Sequence, residues 1–237
     1  MKHLVTRRQA LAATCALTLA PLASNASEQE RVGMQLILAA DVSGSVNPTR
    51  YKIQQDGYLE ALGDSRVLNV IGELDPPVLA ITFIAWAREQ EVVVPWMRVE
   101  DAKSMDSFRN RLKNVQRPRI GINTFISKAL LFCDGQFDHE FTGGRKVIDV
   151  SGDGDDNQGI AGLREVRDAL VGKGLVINGL PIIVKPPEYI FPPQPPEGLD
   201  LYYRRHVVGG QGHVVIESAG FDNFKQAILQ KLLLEIG

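Results

Sequence analysis

The chain has 237 residues, 44% of them hydrophobic, and carries 26 Lys and Arg against 28 Asp and Glu. That is enough for one sizeable α/β domain with a buried core, and barely enough for two small ones. The near-neutral balance argues against a protein built to grip the phosphate backbone of a nucleic acid.

The first 26 residues hold Lys2, Arg7 and Arg8 and no acid, then an apolar run from Ala10 to Leu22 and small residues at Ser24 and Ala26. This is the pattern of a secretory leader, too short to serve as a membrane span. Thr6-Arg7-Arg8-Gln9-Ala10-Leu11 resembles a twin-arginine export signal, and an ordinary leader with two adjacent arginines is the alternative. Cleavage is expected near Ala26–Ser27. It leaves residues 27–237 as one periplasmic or secreted domain, mildly acidic and without a membrane span. Cys15 leaves with the leader, so Cys133 stands alone and no intrachain disulfide forms. Set among Ala129, Leu130 and Phe132, Cys133 is expected to be a buried small hydrophobe.

Along the body, Met34 to Ala40 is a short apolar run that suits a strand buried on both faces, and it ends at Asp41-Val42-Ser43-Gly44-Ser45. Asn47 then caps a helix with Pro48 at its first position, predicted over 48–62. A second helix follows over 66–73 and stops at Asp75-Pro76-Pro77. Val78 to Trp86 and Glu91 to Trp96 predict an antiparallel hairpin. Met105, Phe108, Leu112 and Val115 form the buried stripe of a helix within 101–115. Asn123 or Thr124 opens another helix, to about Phe137. Lys146 to Val150 is a strand running into Ser151-Gly152-Asp153-Gly154-Asp155-Asp156-Asn157. A helix over 163–171 stops at Gly172 and Gly174, and Leu175 to Val184 is a further strand. Prolines crowd 185–198, where Tyr189, Ile190 and Phe191 add apolar bulk to an extended loop. Leu199 to His206 is read as a short helix, His213 to Glu217 as a last strand, and Asp222 to Ile236 as an amphipathic closing helix.

This alternation predicts a three-layer, doubly wound, Rossmann-like α/β fold: a mostly parallel sheet, one antiparallel strand and helices on both faces. Ligands of such sheets bind beyond the carboxyl ends of the strands, and both aspartate loops, at 41 and 153, fall at such ends.

Asp41-x-Ser43-x-Ser45 places one carboxylate and two hydroxyls on a strand-to-helix turn. Oxygen ligands suit a hard cation, and neither loop offers the His or Cys that zinc prefers. Magnesium is the first expectation, with Mn2+ or Ca2+ as alternatives, since all three accept oxygen. Neutral hydroxyls leave such an ion under-neutralised, so a carboxylate from another molecule is a welcome further ligand.

These residues resemble the metal-ion-dependent adhesion site (MIDAS) of von Willebrand factor A domains: Asp-x-Ser-x-Ser, a distant Thr and a distant Asp. The Thr corresponds to Thr124 in Gly121-Ile122-Asn123-Thr124-Phe125, and the last Asp to Asp153 in Ser151-Gly152-Asp153-Gly154. The resemblance implies that Ser43, Ser45 and Thr124 are direct ligands, with Asp41 and Asp153 acting directly or through water. It implies a non-enzymatic, metal-dependent, adhesion-type module whose protein partner offers an acidic residue. It covers roughly 31–237. The later part, with Asn178-Gly179-Leu180-Pro181-Ile182 and Tyr202-Tyr203-Arg204-Arg205-His206-Val207-Val208-Gly209-Gly210, is similar to a bacterial group of exported A-like domains of unknown function.

Bland readings stand beside this one. Ser43 and Ser45 suit a helix cap, and Asp153 to Asn157 an acidic turn. Asp155, Asp156 and Asn157 are expected to form an acidic rim by the metal. A haloacid-dehalogenase-like phosphatase is the enzymatic rival: Asp41 as nucleophile, Lys146 as charge clamp, Asp153 with Asp156 or Asn157 holding magnesium. It falters at Ser43, where that chemistry needs a second aspartate as general acid. A calcium loop beginning at Asp153 fails at Gln158 and Arg164. A third reading is a metal-independent assembly factor that docks through the proline-rich loop.

Overall fold

The computed structural model describes residues 30–184 and 195–237; the proposed leader and Tyr189, Ile190 and Phe191 of the proline-rich segment lie outside them. In chain order the elements are β1 (Glu30–Arg31), β2 (Met34–Asp41), α1 (Pro48–Leu62), α2 (Ser65–Gly72), β3 (Leu79–Trp86), β4 (Gln90–Val99), α3 (Ala102–Lys113), α4 (Ile126–Gly135), β5 (Phe141–Thr142), β6 (Arg145–Gly152), α5 (Ile160–Gly172), β7 (Val176–Pro181), α6 (Leu199–Tyr202), a π-helical turn (Tyr203–Val207) and α7 (Phe224–Ile236). The main sheet has the order β4-β3-β2-β6-β7. Its neighbours are parallel except for the β3–β4 hairpin.

Every residue of β2 and β3 is buried, as expected for strands covered on both faces. The period of two divides β2 between two cores. Met34, Leu36, Leu38 and Ala40 pack with residues of α1, α3 and α7, whereas Ile37 and Ala39 pack with those of α4, α5, α6 and the π-helical turn. This is the expected three-layer arrangement. After β2 the chain builds outward through β3 and β4, then returns to place β6 on the other side of β2. The crevice between the carboxyl ends of β2 and β6 is therefore the point where the winding reverses, the usual ligand position in such sheets.

Local signals account for most boundaries. Asn47 accepts from the Arg50 amide to open α1, and Asp101 and Ser104 form a reciprocal capping box on α3. Two expectations change. The segment 213–217 is not a strand: it meets the edge of β7 through isolated bridges, Val215 to Gly179 with Ser218 to Ile182 just beyond. Gly210 and Gly212, at φ 93° and 75°, turn the backbone away from a ladder just before it. Helix α4 begins at Ile126, with Phe125 rather than Asn123 or Thr124 at its cap. The two-residue parallel pair β1–β5 carries too little pattern to be foreseen.

Candidate metal site

Asp41 ends β2, and Asp153 follows the last residue of the neighbouring β6. Ala40 lies level with Ser151 across the two strands, so the register alone brings the two carboxylates to one crevice. Asp41 is fully buried, and its Oδ1 accepts from the Ser43 amide at 2.7 Å. Ser43 Oγ lies 3.2 Å from Ser45 Oγ. Ser45 Oγ donates to Asp153 Oδ1 at 2.5 Å. One line of contacts thus runs Asp41–Ser43–Ser45–Asp153, joining four of the five expected residues.

Thr124 enters from the third loop. Its amide donates to Asn157 Oδ1 and its carbonyl accepts from the Asn157 amide, both at 2.8 Å. The Gly44 amide donates to the Ile122 carbonyl at 3.0 Å, tying this loop to the serine turn as well. Gly154 keeps the approach open: a Cβ there would stand 3.4 Å from Thr124 Oγ1. Thr124 and Asp153 are each 5% exposed, so all three loops turn their polar groups inward.

Several residues that hold this geometry escaped the sequence analysis. Arg117 donates to the carbonyls of Val42, Ser43 and Val46. Arg50 donates to the Ser45 carbonyl at 2.9 Å, places Nη1 3.7 Å from Asp153 Oδ2, and stacks over Phe221. Buried Gln54 donates to the Asp41 carbonyl. Nothing in a single sequence distinguishes these side chains from ordinary helix and loop polar residues. The expected rim is also different in kind. Asp156 is buried, and its amide donates to the Tyr202 hydroxyl. Asn157 is the clasp on Thr124. Beyond Asp153, the Asp156 amide and the Asn157 side chain are used to hold neighbouring segments.

The electrostatics are those of charge looking for a counter-charge. Burial, and then the neighbouring Asp153, push the Asp41 carboxyl up to about 8 against opposing hydrogen bonds from Ser43 and the Asp153 backbone. Burial also raises Asp153, opposed by the Ser45 hydroxyl and Arg50. Asp41 Oδ2 has no hydrogen-bond partner. Burial raises the Tyr203 phenol well above its ordinary value, helped by Asp41 and Asp153, so it stays protonated beside them.

This donor set fits a divalent cation. A buried, unpartnered carboxylate oxygen and two serine hydroxyls line up with a second carboxylate, and oxygen donors suit a hard ion. Among the described residues no three of His, Cys, Asp and Glu gather as a metal cluster. A cation here would lean on hydroxyls as much as on acids. The phosphatase geometry, by contrast, does not assemble. Lys146 lies level with Gln35 at the start of β2, at the opposite end of the sheet from Asp41.

Structures of known proteins place this arrangement in context. A von Willebrand factor type A protein from Catenulispora acidiphila superposes with a TM-score of 0.61 at 14% identity, over 87% of this chain and 43% of that one. Proximal thread matrix protein 1 from the mussel byssus, described as having a zinc-occupied MIDAS motif, gives 0.58 at 15% identity, over 86% of this chain and 46% of that one. The chain thus spans just under half of the mussel protein's length. The hypothetical protein BatB of Bacteroides thetaiotaomicron gives 0.55 at 18% identity, over 84% of this chain and 97% of that one. No curated protein matches the sequence. The fold is that of von Willebrand factor A domains, and residues 31–237 match the model of the family described as protein of unknown function (DUF1194), to which this chain belongs.

Proposed function

We propose that this protein is an exported, divalent-cation-dependent binding module that captures a partner protein through an acidic side chain. The observation that carries this reading is the contact line from Asp41 through Ser43 and Ser45 to Asp153 at the switch point of the sheet, with buried Thr124 on the adjoining loop. The mussel protein's MIDAS motif supports a metal in the corresponding place. The cation would supply a positive centre to which a partner's carboxylate binds. Ser43, Ser45 and Thr124 would hold it through hydroxyl oxygens, with Asp41 and Asp153 supplying charge. Arg50 sits against Asp153 and offsets part of that charge. The site with its ion therefore keeps a net positive character, and an added carboxylate is favoured over a neutral group.

The donor chemistry favours Mg2+, with Mn2+ and Ca2+ as alternatives. The module is read as non-catalytic, since Ser43 cannot act as a general acid and Lys146 is remote. The leader reading sends it to the periplasm or beyond. Among the described residues no helix is long and apolar enough to cross a membrane. The test is affinity capture from periplasmic extract with the mature chain, repeated with chelator and with Asp41→Ala. The same acidic partner should be retained by the unaltered chain in Mg2+ and lost in both other arms. Capture that survives both would overturn the proposal. Capture that instead disappears on deleting 186–196 would favour docking through the proline-rich segment.

A further inference from the structure

The segment Tyr202 to Gly210 stood out in the sequence without a role. In the structure Tyr203 begins the π-helical turn, Tyr203–Val207, packed between α5 and β7. Such turns are uncommon and gather at functional sites. The Tyr203 side chain is fully buried, yet its hydroxyl has no hydrogen-bond partner. A buried hydroxyl left so is costly, and native structures rarely keep one without use.

Where that hydroxyl points is fixed by Gly152, the last residue of β6. A Cβ at Gly152 would stand 2.8 Å from Tyr203 Oη, 3.1 Å from Asp41 Oδ2 and 3.1 Å from Trp86 Cζ2. Two unpartnered oxygens, Tyr203 Oη and Asp41 Oδ2, therefore face one small space, which the absence of a side chain at 152 leaves open. One is a donor and the other an acceptor. Trp86 closes that space, its own N–H engaged by the Ala39 carbonyl at 3.1 Å. The neighbouring Tyr202 hydroxyl is already in use, as the acceptor for the Asp156 amide at 3.1 Å.

We propose that Tyr203 is a positioning residue of the metal site, its phenol donating to Asp41 Oδ2 through one water. This rests on the metal-binding reading of the preceding subsection. A carboxylate has about four lone-pair sites. The Ser43 amide takes one on Oδ1 and Tyr203 takes one on Oδ2 through that water, so the carboxylate is held at both ends. Outer partners of this kind orient metal ligands, and removing one typically costs 10–100-fold in affinity.

The experiment is Mn2+ binding by calorimetry and by paramagnetic resonance, on chelator-stripped mature chain, for the unaltered protein, Tyr203→Phe and Tyr202→Phe. Tyr203→Phe should weaken Mn2+ binding about 10–100-fold. Its metal-free melting midpoint should stay level or rise, because a buried unpartnered hydroxyl has gone. Tyr202→Phe should keep most of the affinity. Mg2+ should also perturb the tyrosine ultraviolet spectrum of the unaltered chain, and Tyr203→Phe should lose that signal. Unchanged Mn2+ affinity in Tyr203→Phe would overturn the role of Tyr203, as would a loss that only follows a lowered metal-free midpoint. Failure of the unaltered chain to bind Mn2+ would instead remove the proposed function beneath it.

Discussion

Two pairs of acidic side chains are buried along the same strand and its ends, and they are balanced differently. In the interior, Asp149 of β6 and Glu235 of α7 both meet the Lys231 ammonium, and all three side chains are inaccessible to solvent. Asn178 of β7 donates to Glu235 Oε2 and accepts from the Val214 amide, extending the network to the sheet edge. Four residues farther along, roughly 13 Å away, Asp153 joins Asp41 with serine hydroxyls between them, and the partly exposed Arg50 and Arg117 stand at the margin. The first cluster contains its own cation and joins α7 to the sheet. The second lies at the open end of the strands, and in the proposed function its charge is left for an ion from solution. Supplying the cation from the chain makes a structural joint; leaving it to the solvent makes a site.

The largest effect should come from removing the internal cation. Lys231→Met leaves two carboxylates buried without a counter-charge, and losing one partner of a buried pair typically costs about 3–5 kcal/mol. Urea unfolding should show that loss, and adding Asp149→Asn should restore a good part of it. Equal stability of Lys231→Met and the unaltered chain would mean that the joint is not what holds α7.

The joint also has a pH signature. Burial, and then Glu235, raise the Asp149 carboxyl to about 7, with Lys231 opposing, against an ordinary value near 3.9. A carboxyl raised in the folded state binds a proton that the unfolded chain has released. Its contribution is therefore full below about pH 4 and is lost as the pH rises through 7. The slope is at most about 1.4 kcal/mol per pH unit for one proton. Unfolding curves from pH 4 to 7 in one chelating buffer should fall less steeply for Asp149→Asn than for the unaltered chain. Parallel curves would remove Asp149 as the source.

The two clusters also differ in how far the sequence disclosed them. Asp41, Ser43, Ser45 and Asp153 were legible because a strand end is marked by its apolar run and a turn by its glycines, and both signals are local. Lys231 and Glu235 were not. Four apart on a helix, a Lys and a Glu carry the pattern of a solvent-facing pair, and only the fold brings Asp149 against them. Tyr203 was concealed likewise: its segment was read as a helix, and the space beside Gly152 exists only once β6 and the π-helical turn are packed. The lost strand at 213–217 has the opposite cause, since β-rich composition there is overruled by the glycines that precede it.

The open site should answer to solution ions where the joint does not. An ion that binds only the folded chain adds about 2.7 kcal/mol at a concentration 100 times its dissociation constant. The midpoint should rise by several degrees for a chain of this size. Mg2+ should produce that rise in the unaltered chain and, by the same increment, in Lys231→Met, because sites this far apart act independently. Asp41→Ala should abolish it. A Mg2+ increment that shrinks in Lys231→Met would show the two clusters to be coupled and the division between them to be false.

The smallest expected effect tests whether the third loop belongs to the site or only borders it. Asn157 holds Thr124 by two backbone-directed hydrogen bonds and touches neither aspartate through any bond described. Asn157→Ala deletes the bond to the Thr124 amide while the 157 amide still donates to the Thr124 carbonyl. The fold should lose about 1 kcal/mol, the usual worth of one such bond. If Thr124 is a ligand, its hydroxyl is then less well placed, and Mg2+ affinity should fall by more than that stability loss predicts, toward the 10–100-fold cost of a lost supporting bond. Thr124→Ser retains the hydroxyl and should bind nearly normally; Thr124→Val retains the shape and should not. Equal binding by the serine and valine variants would confine the site to the β2 and β6 loops and leave Thr124 as packing for the switch-point crevice.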